Sequence, residues 1–122
     1  MAFISKKNII AAAQPKTVSH HVEAWGGDVG VRLLTMQERI QIEDVFMDGI
    51  EGEEGEKRVT NKDLQTLYAQ VAVAALVDEK GETLFEKTEE LYQLAGPVPT
   101  IIHDVFTVAT GAEEPKKSNT DS

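Results

Sequence analysis

The chain has no cysteine. Disulfides, thiolate metal sites and thiol nucleophiles are excluded together. Aromatic residues are scarce, at 6% of the sequence, so a core must be mainly aliphatic. Serine is scarce too, and none of Ser5, Ser19, Ser118 and Ser122 sits in a Gly-x-Ser-x-Gly elbow. No window approaches the ~20 apolar residues of a membrane span. The five apolar residues Ile9 to Ala13, behind Lys6 and Lys7, are too few for a signal-peptide core. A phosphate-cradling loop is also missing, because Gly26-Gly27-Asp28-Val29-Gly30 runs into a strand pattern and not into a helix. Basic residues are outnumbered 12 to 21, for a net charge of −9. That balance argues against binding nucleic acid or an anionic membrane, and favours basic or neutral protein partners. The histidines do not form a ligand set. His20 and His21 are adjacent, so a strand points them to opposite faces, and His103 is distant. The expectation is a binding protein with no catalytic residues, metal or cofactor.

At 122 residues there is room for one domain. Its organising stretch is Val29 to Phe46. Val29, Val31 and Leu33 alternate with Gly30, Arg32 and Leu34, the period of a half-buried strand. Thr35-Met36-Gln37-Glu38 then reads as a capping box, in which hydroxyl and carboxylate each accept from the other residue's backbone N–H. Behind it Met36, Ile40, Met47 and Ile50 fall on one stripe, widened by Ile42 and Phe46, which predicts a helix over 36–48. Upstream, Ser5 caps a short helix that Pro15 stops. This arm carries Lys6, Lys7 and Lys16, with no acid before Glu23. It either packs loosely on its own domain or docks on a neighbouring subunit. Thr17 to Trp25 alternates with Val18, His20, Val22 and Ala24 inward. With 29–34 it forms a β-hairpin turning at Gly26-Gly27-Asp28, and Trp25 packs the hairpin end.

Gly49 to Arg58 is a solvated connector of glycines and glutamates, without the ligand spacing of a calcium loop. Thr60 or Asn61 caps a second long helix. Its stripe is Leu64, Leu67, Tyr68, Val71 and Ala75, and Ala69, Ala72 and Ala74 keep it slim. Two short apolar pieces then flank a turn, Asp78-Glu79-Lys80-Gly81. Thr88 caps a helix over 89–95, stopped by Gly96-Pro97. A last helix starts at Pro99 or Thr100 and runs to Thr110. Ile101, Ile102, Val105, Phe106, Val108 and Ala109 cover nearly half of it, while His103, Asp104 and Thr107 form its polar side. Such breadth predicts burial on two sides, between helices or against another chain. Residues 112–122 read as a disordered polar tail. The fold class is therefore α+β and mainly α-helical, one domain over 1–111 with an N-terminal β-hairpin packed on about four helices. Candidate protein contacts on the later helices are Leu64, Tyr68, Val71, Ile102, Val105 and Phe106. Ordinary core packing is the competing account of each.

The order of these elements resembles the tail assembly chaperones of long-tailed (siphovirus-type) bacteriophages. The resemblance covers about residues 8–111. It rests on Pro15-Lys16-Thr17, then Trp25-Gly26-Gly27, then the Val31-Arg32-Leu33-Leu34-Thr35-Met36-Gln37-Glu38-Arg39 phrase, and then Val77-Asp78-Glu79-Lys80-Gly81-Glu82-Thr83-Leu84-Phe85. A final helix ending near Thr110-Gly111 completes it. The resemblance implies a protein of the host cytoplasm, absent from the mature virion, that binds and solubilises the phage tape measure protein. It also implies self-association. A longer form, made by ribosomal frameshifting late in the gene, would recruit the tail tube protein. Pro115-Lys116-Lys117 is the place where slippery codons would fit. The alternative class is a structural head–tail or tail-completion protein of the virion. A third reading, an acidic DNA mimic, rests on charge alone.

Overall fold

The computed structural model describes residues 3–48 and 60–117. Along them run α1 (Lys6–Ala12), β1 (Thr17–Val22), β2 (Gly27–Arg32), α2 (Met36–Asp48), α3 (Asn61–Ala75), β3 (Leu76–Val77), α4 (Thr88–Tyr92) and α5 (Val98–Ala109). The class is α+β, mainly helical, with the hairpin near the N-terminus. The acidic connector 49–58, with Ile50, and the tail residues 118–122 lie outside the described residues.

β1 and β2 pair antiparallel, from Thr17 opposite Arg32 to Val22 opposite Gly27. His20, Val22 and Val31 point inward and are buried. The first strand stops earlier than its alternation suggests. Glu23–Trp25 form one turn of 3-10 helix, which exposes Ala24, and Gly26 closes the turn at φ 77°. That left-handed conformation suits glycine because it has no Cβ to clash.

A third strand was not separable in the sequence. α3 ends at Ala75, and the next two residues pair with β2, Leu76 with Val31 and Val77 with Gly30. Two residues are too few to show a period. The close approach depends on Gly30, where a Cβ would lie 2.9 Å from the Val77 carbonyl oxygen. Beyond β3 the expected turn forms. Asp78 Oδ1 accepts from the N–H groups of Lys80 and Glu82, at 2.8 and 3.0 Å. The Leu84 N–H then donates back to the Leu76 carbonyl at 3.0 Å.

The core lies where α3 and α5 pack together and against the sheet. Ala69, Val71, Ala72 and Ala75 of α3 meet Ile101, Ile102, Val105, Val108 and Ala109 of α5 in one buried cluster that includes Val31 and Leu76. Alanines let the two helices approach closely, and the sheet covers another side of α5. The breadth of the α5 apolar stripe is thus met within the chain. Thr107, assigned above to the polar side, is buried, and its hydroxyl donates to the Asp104 carbonyl at 2.8 Å.

α2 has the expected limits but a different facing. Phe46 is buried and Ile42 packs on the core, whereas Met36 is 79% exposed and Ile40 is half exposed. Glu38, Ile42 and Phe46 form one i, i+4, i+8 row, so fixing Glu38 turns that row inward. At ~100° per residue, Ile40 then lies about 160° from Ile42. α4 is shorter than expected, and Glu90 caps it in place of Thr88. The Glu90 carboxylate accepts from the N–H groups of Glu86 and Lys87, at 2.7 and 3.4 Å.

Candidate functional site

The residues that fix Glu38 lie within the phrase that carries the family resemblance. The Thr35 N–H donates to Glu38 Oε1 at 2.9 Å, and the Glu38 N–H donates to Thr35 Oγ1 at 3.1 Å, so the capping box is complete. Arg32, at the end of β2, sets its Nη1 2.9 and 2.8 Å from the two oxygens of the same carboxylate. Its Nη2 donates to the Ala74 carbonyl of α3 at 3.3 Å. Arg32 therefore ties strand, α2 and α3 together. The Arg32 guanidinium, with the Thr35 backbone N–H behind it, holds the Glu38 carboxyl down to about 2. This constellation sets geometry, and its carboxylate oxygens are already occupied.

The histidines separate as their spacing requires. His21 points outward, with Nδ1 2.7 Å from Asp28 Oδ1, while the Ser19 hydroxyl donates to Asp28 Oδ2 at 3.2 Å. Ser, His and Asp thus meet, but in an order that does not activate serine. The hydroxyl donates to a carboxylate and not to the imidazole that would have to accept its proton. The hydrogen bond from His21 is the leading reason that the Asp28 carboxyl lies below its usual range. His20 is buried, and its Nδ1 accepts the Lys116 N–H at 3.0 Å. Burial is the main influence lowering the His20 pKa.

The same contact shows where the beginning of the polar tail goes. Residues 112–117 run back to the outer edge of β1. There the His21 N–H donates to the Lys116 carbonyl at 2.9 Å, and Lys116 Nζ reaches Asp104 at 2.8 Å. The Asp104 carboxylate raises the Lys116 ammonium pKa. Composition did not announce this docking, because backbone groups and one buried imidazole make most of it. It also covers part of a sheet edge that would otherwise present unpaired groups.

The six candidate contacts divide. Val71, Ile102 and Val105 are buried core residues and offer no surface in the folded chain. Their stripes face each other across the α3–α5 contact, which periodicity alone does not distinguish from an outward stripe. Leu64 stays partly exposed, and Tyr68 and Phe106 are half-buried. The Tyr68 ring lies 4.6 Å from Phe106 and 5.1 Å, edge-on, from His103. Leu64 stands one turn from Tyr68, so these residues make a small patch across α3 and α5.

Larger apolar surfaces lie elsewhere. No residue of α1 is buried, and Phe3, Ile4, Ile9 and Ile10 are all exposed. Met36, Ile40 and Val45 stand out from α2. A groove of about 470 Å³ opens between α3, α4 and α5, lined mainly by Ala69, Leu91, Tyr92, Leu94, Val98 and Ile102. Tyr92 and Leu94 are not among the six candidates. Their signal was two large apolar residues at the C-terminal end of the short helix, ahead of Gly96-Pro97. Among the described residues no three His, Asp or Glu side chains converge on a metal position, and no helix is long and apolar enough to cross a membrane.

No protein-family model, curated protein or solved structure matches the chain.

Proposed function

We propose that this chain is a tail assembly chaperone of a long-tailed bacteriophage, which binds the tape measure protein and keeps it soluble in the host cytoplasm while the tail is built. The observation that carries the reading is exposed apolar surface on a strongly acidic chain. Phe3, Ile4, Ile9, Ile10, Met36, Ile40, Val45, Tyr92 and Leu94 are open to solvent on a protein of net charge −9. Apolar patches hold an aggregation-prone client, and net charge keeps the complex dispersed. The family-like phrases support the reading in a second way. Val31–Arg39 forms the joint of β2, α2 and α3, and Asp78–Phe85 forms the turn beyond β3. They mark scaffold, leaving the surfaces free to suit the client.

Under this reading a frameshifted longer form carries the segment that recruits tail tube protein. The test is co-expression with the phage's tape measure protein. The expected result is a larger soluble fraction of that protein and a complex that co-elutes. A tape measure protein that stays insoluble, with no complex, would refute the proposal. Mass spectrometry of purified virions separates the structural alternative, since a chaperone is absent from them.

A further inference from the structure

We propose that the N-terminal arm of one copy docks into the α3–α4–α5 groove of a second copy, joining copies head to tail. This does not depend on the tape measure reading, because both surfaces belong to this chain.

The arm has the form of a ligand without a seat. Phe3 is 96% exposed and Ile4 62%, and the arm helix that follows buries nothing. Ile9 and Ile10 of that helix are each half exposed. At its base the arm is anchored, since the Lys16 carbonyl accepts the Leu33 N–H at 2.8 Å. The apolar residues therefore stand on a fixed stalk. The groove is a seat of suitable shape. It is concave, mainly apolar and about 470 Å³ in volume, and the exposed Tyr92 and Leu94 are on its wall.

Charge selects a second copy as the occupant. Through Val22 the chain has three lysines and no carboxylate, which leaves −12 on the remaining residues. The three helices that form the groove carry Asp63, Glu89, Glu90 and Asp104 against Lys62 alone. An apolar arm with Lys6 and Lys7 therefore meets an apolar groove on helices of net negative charge. The places also fit. The arm leaves beside Leu34, Ala109 and Gly111, at the C-terminal end of α5, whereas the groove includes Val98 and Ile102 near its start. The two are about 15 Å apart along the helix axis. Different patches on the two partners make a heterologous contact, which repeats into chains or closes into rings.

The test uses two double variants of the full chain, Ile9→Ser with Ile10→Ser in the arm, and Tyr92→Lys with Leu94→Lys in the groove. All four residues are exposed, and far-UV circular dichroism checks that each variant folds. If the groove pair fails to fold, Leu94→Lys alone replaces it. Sedimentation velocity over a concentration series is the readout. Wild type should gain mass with concentration, while each variant alone should associate at least tenfold more weakly. Mixing the two variants should restore a one-to-one dimer that grows no further, since only one intact arm and one intact groove remain to pair. A monomeric wild type, variants that associate like wild type, or a mixture that stays monomeric would each overturn the proposal. A monomeric wild type whose arm binds another protein overturns it as well.

Discussion

Replacing Glu38 by Gln tests the joint that sets the facing of α2. The substitution keeps the size of the side chain and an oxygen that can accept the Thr35 N–H. It removes the charge that Arg32 engages at 2.8–2.9 Å. The Glu38 carboxyl falls from an ordinary 4.5 to about 2, and a shift of that size corresponds to about 3 kcal/mol if fully expressed. The side chains of Arg32 and Glu38 are 30% and 33% exposed, so solvent screening reduces the effect to about 1–2 kcal/mol. For a chain of this size that is a fall in Tm of roughly 4–8 °C. The pH dependence is the sharper part. A carboxyl with a lowered folded pKa gives stability that is fully present above its unfolded value near 4.5. That stability is lost as pH falls toward 2. Urea unfolding of wild type and Glu38→Gln at a series of pH values should show a gap at pH 7 that closes between about 4.5 and 2. A gap of the same size at pH 7 and at pH 3, or no gap at pH 7, would refute the role given to this ion pair.

Gly30→Val should destabilise the fold by roughly 2–3 kcal/mol in urea unfolding, because a backbone oxygen and not a flexible side chain occupies the space of its Cβ. A loss under 0.5 kcal/mol would mean that β2 and β3 do not approach so closely. Burial lowers the His20 pKa against Asp104 and Asp28, which raise it, and with Lys116 and His21, which lower it further. The unfolded chain therefore takes up this proton first, and stability should fall as pH drops below 6.5. His20→Asn, which retains an acceptor but does not titrate, should flatten that slope, and hydrogen exchange at Lys116 should report it directly. Val105→Ala should cost about 2 kcal/mol and Leu64→Ala less than about 0.5, which separates core from surface among the candidate contacts.

Features fixed by neighbouring residues were legible in the sequence. The Thr35–Glu38 box, the Asp78 turn, the Thr60 cap and the stop before Pro15 involve residues a few positions apart, and each formed where the pattern placed it. Features fixed across the chain were not. Periodicity found the apolar residues of α2, but Arg32 decides which of them face inward. The same limit applied to Val71 and Val105, whose stripes look alike whether a partner helix or solvent lies opposite. β3 was too short to show a period. The docking of 112–117 depends on His20, whose side chain accepts across 96 positions of chain.

That docking has a consequence for anything joined beyond Lys117. If residues 111–117 were free they would form a tether reaching up to ~23 Å from the end of α5. Held at Lys116, they reposition the point of departure to the outer edge of β1, beside His21. An appended segment would then search a smaller volume from a defined origin, so its effective concentration at a nearby site would be set by its own length and not by this stretch. Protonating His20 or removing Asp104 would lengthen that leash without altering any residue beyond it.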